Sequence, residues 1–373
     1  MNNNIRVGNL FGIPFYVNPS WFLVLALVTW IYGSQLQNFP QLVGVAPWIL
    51  GLAAALLLFS SVLAHELGHS FVAIKQGIKV NSITLFIFGG LASLEEDSKS
   101  PGEAFLVAIA GPVVSLILFG VFSVVNLSLP LPEPLTAVVG LLATVNLILA
   151  LFNMIPGLPL DGGNVLKAIV WKITGNQYRG IFIASIVGQF IGWIAIILGV
   201  FSVFGITEFG SLWTALIGFF LLQNAGSSAQ SATLQDKLSR FTAEEAVSEN
   251  SPVVSADLTL REFVNEYVIG KGEWNKFLVT DEDGKLMGQL NIDDLKIIPT
   301  SEWNQQTVGE LTKSQDVNSV KPKQSLLEVV MMFEKNKQSE VAVIGDNGVV
   351  LGLIEKSGIA KFLEERQEEL KAA

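Results

Sequence analysis

The chain has 373 residues, enough for two or three domains, and half of them are hydrophobic with a mean hydropathy of +0.51, which favours a membrane protein over an ordinary soluble one. Residues 1–223 carry seven Lys/Arg and eight Asp/Glu, so the remaining 150 residues hold sixteen and twenty-five of the totals of 23 and 33: an apolar part precedes an acidic one, and no basic face for nucleic acid exists. With no cysteine, disulfide frameworks and thiolate sites are excluded, and any zinc site must be built from His and carboxylate.

Residues 1–17 lack the basic start and small-residue cleavage site of a signal peptide. Six apolar segments follow, at 17–32, 46–76, 103–125, 134–154, 180–204 and 212–224. The first and last are short for full spans and would lean on neighbours or on flanking aromatics such as Trp21 and Trp213. Six spans put both termini on one side. That side would hold Arg6, Lys75, Lys79, Lys99, Lys167, Lys172 and Arg179, all seven positive charges, whereas the opposite loops near 33–45, 126–133 and 205–211 hold none. The positive-inside rule makes the shared side cytoplasmic.

The second segment carries the chemistry. A helix over 46–76 would be roughly 46 Å long, enough to cross a bilayer and protrude. Near its C-terminal end stands His65-Glu66-Leu67-Gly68-His69, and these are the only two histidines in the chain. Histidines four apart share one helix face, so both imidazoles can grip one Zn²⁺ with Glu66 beside it. HExxH can also be an ordinary solvated helix face, but ionisable side chains inside a span are expensive and mark a site.

Residues 79–97 (KVNSITLFIFGGLASLEED) read as a β-hairpin or looped strands broken at Gly89-Gly90. They serve either as an amphiphilic connector or as an edge that pairs with an extended substrate. In the third segment Ala110-Gly111-Pro112 reads as a packing kink and says little by itself. Asn146 and Asn153 are polar positions in the apolar fourth segment, suited to binding exposed substrate backbone or an oxyanion, or equally to bonding between helices. That segment ends in NMIPGLPLDGG (153–163), where two prolines stop the helix. Asp161 either caps a short helix over 163–174 or supplies a third metal ligand. HExxH gives two ligands and catalytic zinc usually takes three plus water, so Asp161, at the same depth as the histidines, completes a His₂Asp set.

HELGH in one span together with NMIPGLPLDGG after another closely resembles the site-2 proteases, intramembrane zinc metalloproteases. The resemblance extends over the six spans, including AGP in the third, Gly188-Gln189 in the fifth and the closing GFFLLQNA. It departs at Ser115, where many relatives have Asn. It implies one catalytic Zn²⁺ per chain on His65, His69 and Asp161, Glu66 as general base, and membrane-spanning proteins as substrates.

Beyond a small, polar linker at 225–240 the chain turns soluble and repeats itself. FLVTDEDGKLMG (277–288) matches VAVIGDNGVVLG (341–352), 64 residues later, each unit reading strand–helix–strand–turn–strand–helix. This resembles a tandem pair of CBS domains, at 241–300 and 301–373. The resemblance implies an adenosyl nucleotide (ATP, ADP or AMP) at Asp294 with Asn291 three residues before it; in the second repeat the same positions are Glu355 and Gly358. A pair serving only in homodimerisation or docking is the alternative.

The expected molecule is therefore a polytopic α-helical membrane protein with a short β element over 1–224, followed by a cytosolic α/β CBS module. It would sit in the cell membrane with both termini cytoplasmic, as a zinc-dependent intramembrane endopeptidase. A CBS-gated transporter or channel, or a catalytically idle membrane scaffold, are the competing expectations.

Overall fold

The computed structural model of the protein describes residues 4–87, 89–248, 250–269, 274–313 and 317–372. Its contacts divide the chain into two units, Met1–Thr233 and Leu234–Ala373. The first opens with strands β1 (Ile5–Leu10) and β2 (Ile13–Val17) and continues through helices α1 (Pro19–Leu36) and α2 (Ala46–Lys75). Strands β3 (Val80–Phe86) and β4 (Gly89–Leu94) lead into α3 (Pro101–Ser128), α4 (Glu133–Asn153), α5 (Asp161–Thr174), α6 (Gln177–Val203) and α7 (Leu212–Ser239).

Local chemistry sets the helix ends. Asn18 accepts from the Ser20 amide at 3.0 Å and Pro19 opens α1; Ser100 accepts from the Glu103 amide and Pro101 opens α3. Gly175, at φ +71°, closes α5, and Asn176 caps α6 one residue later.

Five helices, α1, α2, α3, α4 and α6, are long and apolar enough to cross a membrane. Large apolar side chains face outward along them, Trp30, Phe190 and Leu127 among them, which suits lipid and not water. The sixth expected span, 212–224, is the N-terminal half of α7, and α7 falls outside that set because Gln223 and Asn224 cut its apolar run. The stretch expected as a linker is helical. It contains no proline, and Ala225, Ala229 and Ala232 are buried at helical spacing.

The four strands of the first unit form one sheet in the order β1-β2-β3-β4. Strands β2 and β3 run parallel, Phe15 opposite Ile83, because the chain between them passes through two long helices. The β3–β4 hairpin matches the strands expected over 79–97, with Thr84 opposite Leu91. Ile13, Ile78, Val80 and Ile83 pack the sheet onto Leu63, Leu67 and Ala73 of α2. The sheet is thereby fastened to the helix that carries HELGH, and β4 is left as its edge.

The second unit is built twice. β5 (Val253–Ser255), α8 (Leu260–Phe263), β6 (Lys276–Thr280) and β7 (Leu286–Asn291) form the first repeat. After α9 (Val308–Leu311), β8 (Ser319–Val320), α10 (Leu326–Asn336), β9 (Glu340–Ile344) and β10 (Val350–Glu355) form the second, and α11 (Lys356–Ala372) closes the chain. Each sheet has one parallel and one antiparallel pairing, and β9 and β10 begin 64 residues after β6 and β7 (340 − 276 and 350 − 286). Leu278, Ala342 and Leu353 form a core shared by the two repeats.

Candidate metal centre

His65 and His69 lie one turn apart on α2, and the chain leaving α4 brings Asp161 to meet them. Asp161 is the first residue of α5 and its side chain makes no cap; Leu160 holds the cap position. Its carboxylate turns instead to the histidines, Oδ2 3.1 Å from His65 Nε2 and Oδ1 3.3 Å from His69 Nε2. The two Nε2 atoms are 3.3 Å apart, and one ligand atom from each residue falls within 4.8 Å of the others. Three donors of the hard or borderline type that Zn²⁺ takes thus converge on one point.

The far side of each imidazole is also held. His69 Nδ1 donates to the Val107 carbonyl at 2.7 Å, which leaves the Nε2 lone pair free for a metal. His65 Nδ1 lies 2.9 Å from Ser115 Oγ, a fully buried hydroxyl on α3. Both partners come from the helix that carries Gly111-Pro112. A Cβ on Gly111 would collide with His69 Nε2 and sit 2.7 Å from His65 Nε2, so glycine is what lets α3 press against both rings. Pro112 removes the amide that would reach back one turn and loosens the backbone beside Val107. The AGP motif is thus part of the site's wall, which the sequence alone does not reveal.

Glu66 is placed by the sheet. The edge strand β4 passes over it, with the Ala92 amide facing its carboxylate, and a Cβ on Gly90 would come within 2.9 Å of Glu66 Cδ. His65, Glu66, His69 and Asp161 line one cavity of about 270 Å³, shared with Gly90 to Ala92 of β4, Asn153 of α4 and Lys167 of α5.

The remaining expected residues fall out differently. Asn153 lines the cavity, its Nδ2 donating to the Leu149 carbonyl. Asn146 is fully buried and ties α4 to α2, donating to Ser61 Oγ at 3.1 Å and to the Leu142 carbonyl. It is not among the cavity-lining residues, so the geometry gives it the interhelical role of the two considered. In the second unit Asp294 accepts from the Asn291 amide and pairs with Lys313 Nζ at 2.6 Å. A separate cavity of about 570 Å³ opens beside Glu355 and Gly358, the positions equivalent to Asn291 and Asp294 in the second repeat.

Comparison with known proteins agrees with this geometry. The model of Peptidase family M50 matches residues 53–137 and 120–198, and the CBS domain model matches 308–365. The protein sll0528 of Synechocystis sp., provisionally named a zinc metalloprotease, is 59% identical over 365 residues, covering 98% of this chain and 96% of its own length. Rip3 of Mycobacterium tuberculosis, named in the same provisional way, is 30% identical over 372 residues, covering 98% and 94%. Among solved structures, the site-2 protease from Methanocaldococcus jannaschii aligns with a TM-score of 0.46 and 28% identity, over 61% of this chain and 95% of that one. With apolar helices, a His₂Asp cluster and relatives matched over nearly their whole length, the chain belongs to peptidase family M50, the site-2 protease family of zinc metalloproteases, and carries CBS sequence in its C-terminal unit.

Proposed function

We propose that the protein is an intramembrane zinc endopeptidase in which His65, His69 and Asp161 hold the metal and Glu66 is the general base. The observation that carries this reading is the convergence of three ligand atoms within 4.8 Å while the outer imidazole nitrogens are engaged by α3. The donor set fits Zn²⁺: two imidazole nitrogens and one carboxylate, partly buried and opening on the adjoining cavity. Zinc held by these residues would supply Lewis acidity, lowering the pKa of a water and polarising a carbonyl. Glu66, lining the same cavity, takes the proton from the attacking water and later gives it to the leaving amine.

A peptide bond inside a membrane helix is shielded by its own hydrogen bonds, so the substrate must be held extended. The β4 edge can hold it through backbone pairing across the mouth of the cavity, with Asn153 as a further polar contact. The positive-inside count supports six crossings, with α7 as the sixth, and a cytoplasmic second unit. That unit is proposed to be a CBS pair, with an adenosyl nucleotide as its ligand and a homodimer as its assembly. The test is incubation of a model single-span protein with the purified enzyme, with and without a zinc chelator. Chelator-sensitive cleavage within the span is expected; cleavage that survives complete zinc removal, or none in the loaded enzyme, would overturn the assignment.

A further inference from the structure

One charged group in the cavity has no part in the hydrolysis just described. Lys167, six residues beyond Asp161 on α5, keeps only 13% of its side chain exposed. It is the one Lys or Arg among the described residues lining the cavity that holds His65, Glu66, His69 and Asp161. Its only ionic or hydrogen-bonding partner among the described residues is Asp97 Oδ1, 3.9 Å away. A charge-assisted bond closes to about 2.7–2.9 Å, so this ammonium is only loosely paired. Asp97 itself is 73% exposed, on the turn that follows β4, and also accepts from Gln177 Nε2 at 3.3 Å. Nothing buries it beside Lys167. A partly buried side chain whose ammonium lines the space where a peptide must lie, held by one loose and exposed anion, can exchange that anion for another carboxylate.

We propose that Lys167 forms a subsite for a substrate carboxylate, and that Asp97 fills this subsite until substrate arrives. The inference rests on the site assignment above. Six helical residues advance about 9 Å along α5, and an extended peptide advances about 3.3 Å per residue. The carboxylate therefore lies roughly two to four residues from the scissile bond. An Asp or Glu side chain and the free C-terminus of a shortened chain offer the same chemistry.

The test uses the full-length protein in detergent and fluorescent peptides of one model span. A single Asp is moved through the four positions on either side of the cut, each peptide compared with its Asn twin, and shortened peptides end in carboxylate or amide. Binding is read by anisotropy on the Glu66→Gln protein, and cleavage separately on the unaltered enzyme. At one register the Asp peptide should bind about 10- to 100-fold more tightly than its twin, the worth of one charge-assisted hydrogen bond. Lys167→Gln should bring that ratio to about one, whereas Asp97→Asn, by removing the competitor, should enlarge it. A preference confined to the free C-terminus identifies that as the source; one shown by internal Asp identifies the side chain. Equal binding of Asp and Asn at every register and of carboxylate and amide ends, or parallel losses in both variants for all peptides, would make the pair a structural bridge and overturn the proposal. Cleavage without carboxylate preference sinks the subsite and leaves the protease reading; Lys167-dependent preference without cleavage does the reverse.

Discussion

In the proposed site, Ser115 and Glu66 have separate roles around the histidines. Ser115 touches no substrate space; it meets the back of His65, where a partner fixes the ring's tautomer and direction. Its replacement by Ala is expected to weaken zinc affinity about 10- to 100-fold, measured by competition with a chromogenic chelator, since outer partners of metal-bound histidine are worth that much. Glu66→Gln keeps size and hydrogen bonding and removes only the base. Cleavage should then fall by at least roughly 10²-fold with zinc content unchanged. If instead the Gln variant loses its zinc, Glu66 is a ligand and the division of roles is wrong. Together the two variants separate holding the metal from moving the proton.

At the scale of elements, the apolar helices and the motif they carry were legible, and the continuation of α7 through the expected linker and part of the sheet were not. HELGH on α2, the β3–β4 hairpin and the stop at Pro156 follow from spacing and from residues with strong local preferences. The β1–β2 hairpin was hidden because its turn is Phe11-Gly12, at φ +52° and +85°, where Asn-Gly or Asp-Gly is the usual signal. Phe11 tolerates that backbone while its ring meets Phe71 of α2 edge-on at 5.3 Å, a tertiary contact with no local signature. Gly111 was likewise opaque: a glycine before a proline reads as a kink until α3 and the imidazoles are seen together. The edge strand leads to its own prediction. If β4 pairs with substrate, only every second backbone N–H of the substrate faces it. N-methylation of one alternate set should raise KM about fivefold per bond lost, at about 1 kcal/mol each, and methylation one residue along should not. Steady-state kinetics on the two peptide series decides it; equal effects would remove β4 from substrate binding.

At the scale of the whole molecule, the nucleotide response proposed for the second unit turns on Asp294. Hydrogen bonding from the Lys313 ammonium, aided by the Asn291 amide, holds this carboxyl below the usual carboxylate range. A depressed folded-state value means the ion pair's stabilisation is fully present above the unfolded value of 3.8 and is lost as the pH falls through the folded one. Hydrogen exchange along β7 should therefore be faster in Asp294→Asn than in the unaltered protein near neutral pH, with the difference shrinking only below pH 3.8, as the pH falls through the lowered folded-state value. The same pairing bears on nucleotide control. A ribose that is to reach Asp294 must displace Lys313, so Lys313→Ala should tighten ATP, ADP or AMP binding and Asp294→Ala should abolish it. A ligand seated instead beside Glu355 and Gly358 would be indifferent to both changes. Whichever cavity is used, the nucleotide can regulate cleavage only by favouring one arrangement of the chain over another. A coupling of about 1–3 kcal/mol would change apparent activity or affinity roughly 5- to 150-fold. Calorimetric titration of the full-length protein with each nucleotide, run beside the cleavage assay, reads both quantities. Binding without any change in cleavage would uncouple the second unit from the site. An absence of binding at millimolar nucleotide would leave that unit as a dimerising or docking module.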